Sequence, residues 1–278
     1  MNRDQLPSEE EQYRAYRAAA EAMEPGTVII RTLDIGGDKK IPYLNIPQEM
    51  NPFLGWRAVR ICLERRDLFR DQLRAIFRAG AHGRVRVMFP MIATREELLR
   101  CKEAVEEVKR ELATEGVPHD PSVQVGIMVE TPAAAVSADI LAPEVDFFSI
   151  GTNDLIQYTL AADRVNEKVA YLYEPLNPSI LRLIRLVIDA GHAQGRMVGM
   201  CGEMAGEALA IPVLLGLGLD EFSMSASSIP LAKKIIRNMT MAEARETAQT
   251  VLSLRSPEES RRYLKAVLQE ILSRRNPD

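Results

Sequence analysis

Cysteine is scarce in this chain: three residues, Cys62, Cys101 and Cys201, among 278. They are odd in number, far apart and without a Cys-x-x-Cys pair, which argues against a disulfide framework or structural zinc and fits a reducing cytoplasm. Histidine is equally sparse. His82, His119 and His192 fall in loops or at helix ends, none in the glycine-rich setting of a phosphoacceptor. No apolar run approaches the roughly 20 residues of a membrane span, and the charged start Met1-Asn2-Arg3-Asp4 lacks the apolar centre of a signal peptide. Nor is there a large excess of one charge. A formal charge of −4 gives no global pull toward nucleic acid or an anionic membrane, so any anion site must be local. Solenoid repeats and low-complexity linkers are absent.

What is present is apolar: 46% of residues, enough for one large core, with a single domain over 1–278 as the expectation. A helix over Glu9 to Met23, starting near Ser8, precedes the first strand. Seven strands are expected, around Ile30, Gly55, Val87, Ile127, Phe148, Gly199 and Ser223, with helices between them, including a long amphipathic stretch from Val59 to Arg78. Most are apolar throughout, as parallel strands buried on both faces are. An α/β (β/α)8 barrel of TIM type needs eight. The simplest expectation is such a barrel lacking its first strand, in a chain that is a fragment of something longer. A seven-stranded or open doubly wound sheet is the alternative.

Two carboxylates fall at strand ends. Glu130 ends the run Val123 to Val129, and Asp154 follows Asp146-Phe-Phe-Ser-Ile-Gly-Thr-Asn153. Ligands of α/β sheets bind at the C-terminal ends of strands, so the pair suggests a divalent cation, Mg²⁺ or Mn²⁺, with positions left for a small anionic substrate. The competing reading is a pair of helix N-caps. Arg31 and Arg57 also lie at strand ends, where a guanidinium fork suits phosphate or carboxylate; pairing with a structural carboxylate such as Asp34 is the alternative. Arg164, ten residues past Asp154, is a weaker candidate on spacing alone. Cys201 ends another strand, in Met200-Cys-Gly-Glu. The residues alone favour a packing role for it over that of a proton donor or nucleophile. The Gly36-Gly37-Asp38-Lys39 turn is too short for a nucleotide phosphate loop.

Five ordered motifs carry a resemblance: Arg31-Thr-Leu-Asp-Ile-Gly-Gly-Asp-Lys, Asn51-Pro-Phe-Leu-Gly-Trp-Arg57-Ala-Val-Arg, Met128-Val-Glu130-Thr-Pro, Asp146 through Asp154-Leu, and Gly199-Met-Cys-Gly-Glu-Met-Ala-Gly. Together they resemble the C-terminal domain of enzyme I of the bacterial sugar phosphotransferase system. That family is the phosphoenolpyruvate–protein phosphotransferases. The resemblance implies a barrel that binds phosphoenolpyruvate with Mg²⁺ and forms a homodimer. Carried over residue by residue, it makes Glu130 and Asp154 metal ligands, and Arg31, Arg57 and Arg164 ligands of phosphate and carboxylate. Asn153 and Asp154 add backbone and amide contacts, and Cys201 protonates the enolate to give pyruvate. In the family an N-terminal domain carries the phosphoaccepting histidine and meets the phosphocarrier protein. Neither that domain nor the arginine-bearing first strand is found here, so this chain alone is not expected to complete phosphotransfer. Barrels of pyruvate phosphate dikinase and phosphoenolpyruvate synthase share several motifs and stand as the alternative, as does a non-catalytic dimerisation module.

Overall fold

The computed structural model describes residues 6–36 and 49–274. The Gly37-Asp38-Lys39 part of the turn read above lies outside them. The chain divides into two compact units, Met1–Met128 and Val129–Asp278.

The first unit opens with α1 (Glu9–Ala22), set by a capping box in which Ser8 accepts the Glu11 N–H and Glu11 returns the bond to the Ser8 N–H. β1 (Thr27–Arg31) follows, then α2 (Val59–Glu64), α3 (Arg66–Gly80), β2 (Arg84–Phe89), α4 (Arg95–Thr114) and β3 (Gln124–Val129), whose last residue is the first of the second unit. β1 pairs with β2 and β2 with β3, all in parallel register. Amphipathic α1 docks on α3 through a guanidinium. Arg74, nearly buried, reaches Glu9 of α1 at 2.7 Å and Glu115 beyond α4 at 2.6 Å. Burial opposes its charge, but those two carboxylates outweigh the penalty and raise its pKa. Phe69, Phe77 and Phe89 fill the apolar interior, Phe69 and Phe89 meeting edge to face at 5.8 Å.

The strand expected around Gly55 is not formed. Pro52–Leu54 is a single 3-10 turn, and the backbone groups a strand would pair are taken locally. The Trp56 N–H donates to the Glu49 carboxylate at 3.1 Å, and the Gly55 carbonyl accepts from Arg60 at 3.1 Å. The long amphipathic stretch from Val59 to Arg78 is helical but breaks at Arg65, whose ψ of 70° is outside the helical range. α2 and α3 are therefore separate.

The second unit holds α5 (Pro132–Val136), α6 (Ala138–Leu141), β4 (Phe147–Ile150), α7 (Thr152–Leu160), α8 (Pro178–Ala193), β5 (Met197–Met200), α9 (Ile211–Leu217) and β6 (Glu221–Phe222). It closes with α10 (Ile229–Arg237), α11 (Met241–Ser253) and α12 (Pro257–Ser273). β4 pairs with β5 and β5 with β6, again parallel. The strand expected from Glu221 to Ala226 is two residues long, extended only by a Ser223 N–H to Met200 carbonyl bond at 2.9 Å. Ile211, Ala232, Ile235 and Ile271 form a core cluster that joins α9, α10 and α12.

In each unit the strands follow chain order, with helices between them. A doubly wound sheet reverses strand order at a switch point, so this singly wound connectivity is that of the (β/α)-barrel class, and the α/β expectation holds. Six strands are found among the described residues where seven were expected. No helix among those residues is long and apolar enough to cross a membrane.

Candidate functional site

In the second unit, backbone bonds between successive strand ends gather the candidate residues. The Gly151 N–H donates to the Val129 carbonyl at 3.0 Å, and the Cys201 N–H donates to the Ile150 carbonyl at 3.0 Å. Glu130, directly after Val129, is 2% exposed; Asp154, three residues past Gly151, is 7% exposed. Neither stands at an N-cap. Thr131 caps α5, its hydroxyl accepting the Ala134 N–H at 3.1 Å, and Gly151 precedes α7, with Asp154 in that helix's first turn.

Cys201 is half-buried, with its Sγ 3.8 Å from the Ile150 carbonyl oxygen. Gly202 comes next, and a Cβ there would collide with the Thr152 hydroxyl, so the sequence needs glycine for this close approach. That hydroxyl is fully buried and has no hydrogen-bond partner among the described residues, an arrangement folded chains normally avoid. The Glu203 N–H donates to Asn153 Oδ1 at 3.1 Å. Arg164 follows the left-handed cap of α7 at Ala161, and its N–H reaches Gln157 Oε1 at 3.4 Å. Its guanidinium lies 3.8 Å from Asp154 Oδ1. Glu130, Asn153, Asp154, Arg164 and Cys201 thus belong to consecutive, mutually bonded segments of one unit.

The first unit holds Arg31 and Arg57, and both converge on Asp34. Arg57 Nη2 is 2.9 Å from Asp34 Oδ1, and Arg31 Nη1 is 3.1 Å from Oδ2. The Asp34 and Arg57 side chains are buried, whereas that of Arg31 is 41% exposed. The carboxylate pairing held open in the sequence is therefore present, and it fixes two guanidinium groups side by side. The backbone beside this arrangement is strained. Ala58, fully buried after Arg57, has φ 52° and ψ −125°, and its N–H donates to the Ile35 carbonyl at 2.9 Å. Gly36, at φ 113°, lets the Arg57 backbone approach so closely that a Cβ would come within 2.5 Å of the Arg57 Cβ.

The remaining thiols and imidazoles have ordinary roles. Burial pushes Cys62 up to about 12 and Cys101 higher still, which keeps both as inert thiols. His82 meets the Tyr13 hydroxyl, His119 the Val117 carbonyl and His192 the Asp220 carboxylate, each within 2.9 Å.

A family model described as "PEP-utilising enzyme, PEP-binding domain" matches residues 1–241. The chain belongs to this family. The resemblance read from the five motifs extends to individual members. Proteins named phosphoenolpyruvate-protein phosphotransferase from Priestia megaterium and Bacillus subtilis (strain 168) are 58% and 57% identical to this PEP-binding domain, over 96% and 95% of its length. The protein of that name from Staphylococcus carnosus is 56% identical over 93%. The chain spans about half the length of these relatives, 46% of the first and 45% of the last. A citrate lyase structure from Burkholderia xenovorans LB400 is more distant, with a TM-score of 0.45 at 19% identity, over 73% of this chain and 68% of that one.

The donor set of the PEP-binding domain suits a hard divalent cation. Glu130 and Asp154 offer buried carboxylate oxygens, and no group of three or more His, Cys, Asp or Glu able to hold a metal occurs among the described residues. Two carboxylates leave most of an octahedral shell to water and substrate oxygens, which matches Mg²⁺ or Mn²⁺ better than a closed zinc site. Sequence reasoning missed Thr152, Glu203 and Tyr173 as neighbours of the site. Tyr173 lies in the aperiodic stretch between α7 and α8, and no pattern there pointed to it.

Proposed function

We propose that this chain binds phosphoenolpyruvate with Mg²⁺ as the substrate portion of a phosphoenolpyruvate–protein phosphotransferase, the first step of the sugar phosphotransferase system. The observation that carries the reading is the 56–58% identity to proteins of that name across nearly the whole chain. Two buried carboxylates on consecutive strand ends, with a guanidinium beside one of them, support it.

Glu130 and Asp154 hold the cation, which supplies positive charge against the transferring phosphoryl oxygens. Arg31, Arg57 and Arg164 bind the substrate phosphate and carboxylate, their forks matching planar oxygen pairs. The Asn153 amide and the first N–H groups of α7 add donors at a helix start, where negative charge is favoured. When the bridging P–O bond breaks, the electron pair stays on the enolate oxygen and the phosphoryl passes to a histidine. The acceptor is assigned to a histidine outside this chain, which spans about half the length of the curated relatives it matches. Cys201 gives its thiol proton to C3 of the enolate, yielding pyruvate, and the thiolate regains a proton from solvent. A cytoplasmic homodimer that meets a phosphocarrier protein completes the proposal, with Mn²⁺ able to replace Mg²⁺.

Calorimetric titration of the chain with phosphoenolpyruvate tests this reading. Saturable binding is expected with Mg²⁺, and none when EDTA removes it. Equal binding in both conditions, or none in either, contradicts it.

A further inference from the structure

Asn153 has a single side-chain carbonyl oxygen, and two donors share it: the Glu203 N–H at 3.1 Å and the Tyr173 hydroxyl at 3.4 Å. An amide so held keeps its Nδ2 donors turned away from both partners. The Arg164 guanidinium lies close enough to act electrostatically on that hydroxyl, and it approaches Asp154 Oδ1 at 3.8 Å. The phenol gives its one proton to Asn153, which leaves its oxygen lone pairs free to favour a nearby cation. Burial pushes Tyr173 up to about 12, against the opposing pull of Arg164, and the hydroxyl keeps its proton at neutral pH.

The backbone that carries Tyr173 is anchored independently of the site. A 3-10 turn, Ala170–Leu172, leads into it, and the next residue, Glu174, takes Arg261 of α12 at 2.6 and 2.7 Å. Glu174 also accepts the Leu176 N–H at 3.1 Å. The phenol is therefore presented by a segment pinned to a helix outside the strand ends, and it bonds the proposed substrate-binding Asn153.

We propose that Tyr173 is a positioning residue for the anionic substrate: its hydroxyl sets the Asn153 amide with the donors facing ligand and steadies the Arg164 guanidinium beside Asp154. This rests on the phosphoenolpyruvate reading above. Tyr173 acts through these two groups rather than by touching substrate.

The test is a double-mutant cycle of Tyr173→Phe and Asn153→Ala, read by calorimetry with phosphoenolpyruvate and Mg²⁺. Loss of one net hydrogen bond predicts an affinity about 5–10-fold weaker for Y173F, with an unchanged thermal midpoint and unchanged Mn²⁺ affinity. In the N153A background the same substitution is expected to weaken binding by clearly less, since its main partner is gone. A Y173F protein that binds as tightly as wild type overturns the inference and leaves the functional reading intact. So does a full additive loss in the N153A background, and so does a Y173F effect traced to a lower melting point. A wild-type chain that fails to bind phosphoenolpyruvate overturns the functional reading and this inference with it.

Discussion

Asp154→Asn is expected to weaken Mg²⁺-dependent phosphoenolpyruvate binding at least about 100-fold, because it removes one of two protein charges proposed to hold the cation and keeps the side chain's shape. The residue is 7% exposed and in the first turn of α7, so water is poorly placed to substitute for the lost carboxylate. The amide also removes the negative partner 3.8 Å from Arg164, freeing a guanidinium the account uses for the substrate. Calorimetry at saturating Mg²⁺ reads the change. A loss smaller than about threefold would move the cation away from this carboxylate, since a direct ligand to the metal is worth far more.

Cys201→Ala has the second large effect, and it separates binding from chemistry. The thiol is proposed to exchange a proton with C3 of the three-carbon acid, a step to which a positioned general acid contributes about 10²–10⁴-fold. The chain with Mg²⁺ and pyruvate in D₂O should therefore exchange the methyl protons for deuterium, and C201A should do so at least about 100-fold more slowly. Phosphoenolpyruvate affinity should stay within about threefold, because a half-buried thiol contributes to packing about as a small hydrophobe does. Proton NMR of the methyl signal and calorimetry measure the two quantities. Unchanged exchange with a large loss of affinity would make Cys201 a packing residue.

Much of the fold was legible because its signals are local. The helix start expected near Ser8 is formed, with Ser8 and Glu11, three residues apart, closing a capping box. The short run Phe147–Ile150, apolar but for Ser149 and ended by Gly151, reads as a buried strand and forms one. The errors came where side chains a few residues away decide. Phe53–Arg57 has strand-forming residues, yet Glu49 and Arg60 capture its backbone groups. The break at Arg65 leaves no glycine or proline as a clue. At the candidate site, the acids and arginines were visible because charge in an apolar run needs a reason. Tyr173 was not, since a lone tyrosine in an aperiodic loop carries no such tension, and its contact with Asn153 spans twenty residues of chain.

The most direct measurement is anomalous diffraction from crystals of the chain grown with Mn²⁺ and phosphoenolpyruvate. The account predicts a manganese peak within roughly 2.3 Å of carboxylate oxygens of both Glu130 and Asp154, with substrate oxygens completing the shell. A peak held by other side chains, with ordered substrate that touches neither carboxylate, would contradict it.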